Sequence, residues 1–170
     1  MTYQAAGQGA AICFRSFITG LTVLLMAFSS SNSIGQEDHV GIITPENLLA
    51  NYEVFRKEYD SYEPNQLQID QIQHLANKEI TALFGTWCHD SEREIPRLLK
   101  LLEAAGIGAD NLTLYGVDRN KQDPDGYAEK YDLRYTPTII VSDDQGKELG
   151  RIIEKPKNDI ASDFSDQLTH

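Results

Sequence analysis

Residues Glu79 to Lys100 read EITALFGTWCHDSEREIPRLLK, and three kinds of local structure follow one another in them. Ile80, Ala82, Leu83 and Phe84 form a short apolar run of the kind that makes a buried strand. Gly85-Thr86 breaks it. Beyond Trp87 and Cys88, residues Ile95, Leu98, Leu99, Leu101 and Leu102 recur at helical spacing. The stretch therefore predicts strand, tight turn and helix, with Cys88 in the first turn of the helix. Free backbone N–H groups and the positive end of the helix dipole stabilise a thiolate at that position, and the thiolate is the nucleophile. A buried structural cysteine in a strand-to-helix turn is the other reading of the same residues.

The neighbours of Cys88 carry more specific information. WCHDS has the shape of the W-C-x-x-C active site of the thioredoxin superfamily, with Ser91 in place of the second cysteine. Pro96 stands eight residues after Cys88, where thioredoxins carry the proline that kinks this helix. YDLRYTPT (Tyr131 to Thr138) resembles the segment that ends in the family's cis-proline, which predicts a cis Thr136-Pro137 bond lying against Cys88. IIVSDDQGKELGRII resembles the family's last hairpin. The resemblance spans about residues 77 to 168, and GTWCxDS is similar to the motif of a secreted thioredoxin-like subgroup. It implies an α/β thioredoxin-like fold: a central mixed β-sheet flanked by helices, with an N-terminal helical extension.

The rest of the chain bounds what this domain can do. Its 170 residues carry a formal charge of −11, which repels nucleic-acid phosphates. From Met1 to Gly35 there is no acidic residue and one basic one, Arg15. The apolar run Phe17 to Phe28 and the small polar tract SSSNSIG complete the plan of a secretory signal peptide. That run is shorter than the roughly 20 residues of a membrane span. The expected arrangement is a signal peptide over 1–35 with cleavage before Gln36, a helical extension over 36–76 and a thioredoxin-like domain over 77–170. An uncleaved membrane anchor is the alternative. Loss of residues 1–35 would remove Arg15 and Cys13, leaving 14 basic against 26 acidic residues and one thiol, Cys88. The implied localisation is secreted, in the periplasm, with no stable membrane insertion after processing.

Within the extension, Val40 to Ile43 suits a short strand. Thr44-Pro45 suits an N-cap and first helical turn. Leu48, Leu49, Tyr52 and Phe55 predict one helix from Glu46 to about Tyr59, broken at Ser61 to Asn65. Leu67, Ile69, Ile72 and Leu75 predict another over 66–76. Neither could bury a core alone, so both should pack on the domain. After the cysteine helix, ended by Gly106 and Gly108, the expected elements are a strand at Leu112 to Val117, a short helix at Ala128 to Leu133, strands at Thr138 to Val141 and Leu149 to Ile153, and a helix at Asp159 to Leu168.

The chemistry follows from what the motif keeps and what it lacks. In the superfamily the first cysteine forms a mixed disulfide with the substrate and the second resolves it. Ser91 can hydrogen-bond to the Cys88 sulfur but cannot displace a disulfide. Thioredoxins also carry a buried acid on the preceding strand for proton transfer, and the matching residue is Ala82. The resemblance thus implies a monothiol thiol-disulfide oxidoreductase or isomerase with catalytic Cys88 and Ser91. Substrate contacts fall at Trp87, His89, Thr136 and Pro137, with Trp87 equally suited to packing. The partners implied are protein or low-molecular-weight thiols and disulfides, with no cofactor and no metal. Cys88, His89 and Asp90 are adjacent at a helix start and point different ways, which does not suit a metal. His89 would favour the thiolate when protonated, and Asp90 would oppose it. Glu154 falls where thioredoxins carry a glycine lining the groove. A redox-inert module binding extended peptides in the same groove is the rival reading.

Overall fold

The computed structural model describes residues 37–169, so the expectations for 1–35, including Cys13 and the cleavage site, lie outside the described residues. The apolar run becomes strand β2 (Glu79–Phe84) at the centre of a five-stranded sheet. In chain order the other strands are β1 (Gly41–Ile42), β3 (Leu112–Gly116), β4 (Thr138–Ser142) and β5 (Glu148–Ile153). They lie in the order β1-β3-β2-β4-β5, with β2 parallel to β3 and every other neighbouring pair antiparallel. Alternation along the strands sends their side chains to two faces. Ile80, Ala82, Phe84, Leu114, Ile139 and Val141 join the larger core, while Leu83, Tyr115, Val117 and Ile140 join a smaller one on the opposite face.

Helix α4 (His89–Ala104) covers the larger face with Ile95, Leu98, Leu101 and Leu102. It ends in a Schellman motif: Gly106, at φ +69°, donates to Glu103 O (3.0 Å), and Ile107 donates to Leu102 O (2.9 Å). Gly106 alone makes this stop, since Gly108 has an ordinary φ of −66° and opens the short 3₁₀ turn Ala109–Asn111. The smaller face is covered by Tyr127, Tyr131 and Leu133, partly from the four-residue α5 (Tyr127–Lys130). Helix α6 (Ile160–Leu168), capped by Asp159, packs against β5.

The region before β2 departs from expectation in one respect. The single helix predicted from Glu46 to Tyr59 is two, α1 (Pro45–Asn51) and α2 (Glu53–Ser61), because Tyr52 adopts an extended conformation (φ −118°, ψ 96°). The break orphans no backbone group at Tyr52. Its N–H donates to Leu48 O, its carbonyl accepts from Arg56 N, and its hydroxyl reaches Glu37 O at 3.1 Å. Leu48, Leu49 and Phe55 are all buried around this bend. Thr44 caps α1, and Asn65 and Gln68 form a capping box on α3 (Gln66–Ile72), which runs into a 3₁₀ turn at Gln73–Leu75. Leu48, Leu49, Phe55, Ile72 and Leu75 share the larger core with β2 and α4. No helix among the described residues is long and apolar enough to cross a membrane.

Candidate active site

The turn that follows β2 is built on Gly85. Its carbonyl accepts from Cys88 N (3.0 Å), closing the turn Gly85-Thr86-Trp87-Cys88. A Cβ at residue 85 would fall 2.5 Å from the indole of Trp87, so only glycine lets that ring fold back. Cys88 is the N-cap of α4 rather than a residue of its first turn: it is extended (φ −99°, ψ 121°), and its carbonyl accepts the helix's first bond from Glu92 N (2.9 Å). Its side chain caps no N–H. The half-buried thiol instead donates to the carbonyl oxygen of Thr136, 3.1 Å away. Thr136-Pro137 is cis, and both residues are buried. Two segments 48 residues apart in sequence therefore meet at the sulfur.

The other predicted residues divide into those the fold gathers here and those it turns outward. Ser91 is completely buried, and its hydroxyl accepts from Gly85 N (3.2 Å), tying helix to turn. That bond differs from the expected one to the Cys88 sulfur, because the buried Gly85 N–H is the donor facing Ser91. Trp87 donates from Nε1 to Val117 O (3.1 Å), which commits one edge of the ring to packing. His89 points to solvent, 89% exposed, with Nδ1 3.5 Å from Glu92. Asp90 pairs with Arg93 at 3.0 Å, so its charge is partly neutralised beside the helix start. Arg93 also reaches the buried Glu94 at 2.6 Å, and that bond, opposed by burial and helped by both carboxylates' charge, holds its guanidinium above the ordinary pKa.

The acids inside the described fold are engaged elsewhere. Glu94 binds Arg93, and Asp163 accepts from the N–H groups of Lys157 and Asn158. Ala82 is fully buried on the larger core face, so the position that would hold a proton-transferring acid holds a methyl group. No group of three or more His, Cys, Asp or Glu among the described residues is placed to hold a metal ion.

Sequence reading missed the residues behind the turn. His39 N donates to Thr86 Oγ1 (3.0 Å), and Asp38 binds both ends of the Arg119 guanidinium at 2.7 and 3.1 Å. That guanidinium lies 5.8 Å from the Trp87 ring centroid. No spacing rule links positions 81 residues apart.

A family model described as thioredoxin matches residues 44–162, about two thirds of the chain. The chain belongs to the thioredoxin superfamily. No curated protein matches it. Among solved structures it is similar to a Pseudomonas aeruginosa protein of unknown function, at 20% identity over 74% of this chain and 77% of that one, with a TM-score of 0.44. It is also similar to oxidised mitochondrial thioredoxin 3 of Saccharomyces cerevisiae, at 24% identity over 56% of this chain and 86% of that one, with a TM-score of 0.34.

One backbone feature of this thioredoxin-superfamily chain gives a prediction. Glu154, exposed, donates its N–H to Pro137 O at 2.7 Å from a left-handed conformation (φ +61°). A non-glycine residue there costs roughly 1–2 kcal/mol, of which glycine's extra unfolded-state entropy offsets part. Glu154→Gly should therefore stabilise the fold by about 0.5–1 kcal/mol in denaturant unfolding. A loss of stability would mean that the carboxylate makes a contact worth more than the strain.

Proposed function

We propose that this protein is a secreted monothiol thiol-disulfide oxidoreductase or isomerase acting on protein or low-molecular-weight disulfides in the periplasm. The observation that carries the reading is the meeting at one sulfur of the α4 N-cap and the carbonyl before cis-Pro137. The Cys88 thiolate attacks one sulfur of a disulfide R–S–S–R′. A Cys88–S–S–R bond forms, and R′–S⁻ leaves and takes a proton from solvent. An external thiolate then attacks the mixed disulfide, which releases Cys88 as thiolate and carries R away in a new disulfide. Cys88 is the only cysteine among the described residues, so no internal thiol within them performs that second step. Ser91 contributes by holding Gly85 and hence the turn. Secretion is supported by the charge-poor, apolar order of residues 1–35.

One contact favours the rival reading of a redox-inert peptide-binding module. The Cys88 S–H donates to Thr136 O at 3.1 Å, so the thiol is already engaged by the backbone that an extended peptide beside Pro137 would pair with. An incoming extended substrate that engages the backbone beside Pro137 would have to displace it.

The test is turnover of insulin disulfides with and without glutathione, electrons being supplied through glutathione reductase. Turnover should require glutathione, and a Cys88 mixed disulfide should accumulate in its absence. Glutathione-independent turnover would remove the monothiol mechanism. No mixed disulfide under either condition would leave the binding module.

A further inference from the structure

The turn that carries Cys88 is gripped from behind by the segment 37–40, through contacts that the exchange chemistry does not itself require. His39 N donates to Thr86 Oγ1, and Asp38 takes both ends of the Arg119 guanidinium. That guanidinium also lies over the Trp87 ring, whose Nε1 is tied to Val117 O two residues before Arg119. The lead runs so close to β3 that a Cβ on Gly116 would fall 2.4 Å from His39 O. Its course is therefore fixed by backbone contact and not by the ion pair alone.

Stability does not explain this arrangement. The Arg119 side chain is 69% exposed, and an exposed ion pair adds little to folding. Orientation does. Trp87 precedes Cys88 directly, its ring packs close over Gly85, and Arg119 is the charged group that lies over the ring. We infer that Asp38 and Arg119 are positioning residues, which act through Trp87 to fix the 85–88 turn and so the direction in which Cys88 presents its sulfur. The inference rests on the exchange reading only in taking Cys88 to be the reactive group.

Trp87 is the one tryptophan of the chain, so its emission and its quenching by acrylamide read the clamp directly. Arg119→Ala and Asp38→Asn should each make Trp87 more quenchable. They should also change the iodoacetamide alkylation rate of Cys88, followed by peptide mass spectrometry separately from Cys13, by about threefold or more. The denaturant midpoint should stay unchanged. Arg119→Lys, which keeps a cation for the ring and for Asp38, should recover part of both effects. The proposal is overturned if Arg119→Ala leaves either Trp87 quenching or Cys88 alkylation as in the natural protein. It is equally overturned if both change only together with the unfolding midpoint. Neither readout requires turnover, so failure here leaves disulfide exchange standing, and a protein that exchanges no disulfides can still pass this test.

Discussion

Ser91→Cys should give the protein turnover that no longer depends on an added thiol. Position 91 lies one turn into α4 from Cys88 and is completely buried, so a cysteine there sits behind the reactive sulfur and away from competing solvent thiols. Cys88 is an N-cap residue with extended backbone, and its thiol leaves Thr136 O once it is oxidised. The two sulfurs can then close across the first turn with the geometry a disulfide demands. The exchange removes the acceptor of the Gly85 N–H, since sulfur accepts weakly, at a cost of about 1 kcal/mol. In an insulin assay coupled to a thioredoxin reductase without glutathione, the variant should turn over at least about tenfold faster than the natural protein. It should also show an internal disulfide by intact mass. Ala82 caps the gain, because no buried acid speeds proton transfer in the resolving step. Equal turnover by the two forms would refute the monothiol mechanism. Inactivity of both, with a Cys88 that resists alkylation, would assign the groove to peptide binding.

The sheet was legible in the sequence because strand alternation is local. Leu83 between Ala82 and Phe84 announces a strand covered on both faces, and the fold sends Leu83 to the smaller core and its neighbours to the larger one. Helix ends with a side-chain signature were also readable: Thr44 caps α1 as its residue type suggests, and Asp159, read as the first residue of the last helix, is its N-cap. The break at Tyr52 was not, because Leu48, Tyr52 and Phe55 keep helical spacing across it. The contacts found at the bend, Tyr52 OH to Glu37 O and the packing of Phe55 in the shared core, both lie outside any local pattern. At the site, the family resemblance placed a cis Thr136-Pro137 against Cys88, as the structure has it, but the other partners were not legible. Ser91 faces Gly85 and not the sulfur, and the Asp38–Arg119–Trp87 grip exists only once β1 lies beside β3. Spacing ranks residue types along one element, whereas these contacts depend on which elements the topology makes neighbours.

Phe55→Ala should cost about 3–5 kcal/mol in denaturant unfolding. Phe55 is 1% exposed and meets Tyr52 and Phe84 edge-on, at centroid distances of 6.0 and 5.9 Å. Phe84 is the last residue of β2, directly before Gly85, so the cavity would open beside the turn that carries Cys88. Truncation removes the ring's burial and both aromatic contacts. Phe55 shares its core with side chains of α1, α4 and β2, which cannot all close on the void together. The neighbouring Val54 is 53% exposed, and Val54→Ala should change stability by no more than about 0.5 kcal/mol, which separates core loss from helix propensity. The pair also decides whether α2 belongs to the domain. An appended helix would melt alone, leaving the sheet's transition where it was. A shared core requires one cooperative transition, displaced as a whole, with the alkylation rate of Cys88 shifting to that of an unfolded thiol at the same denaturant concentration at which the sheet is lost. Two separate transitions, or a loss below about 1 kcal/mol, would show that Phe55 holds only its own helix in place.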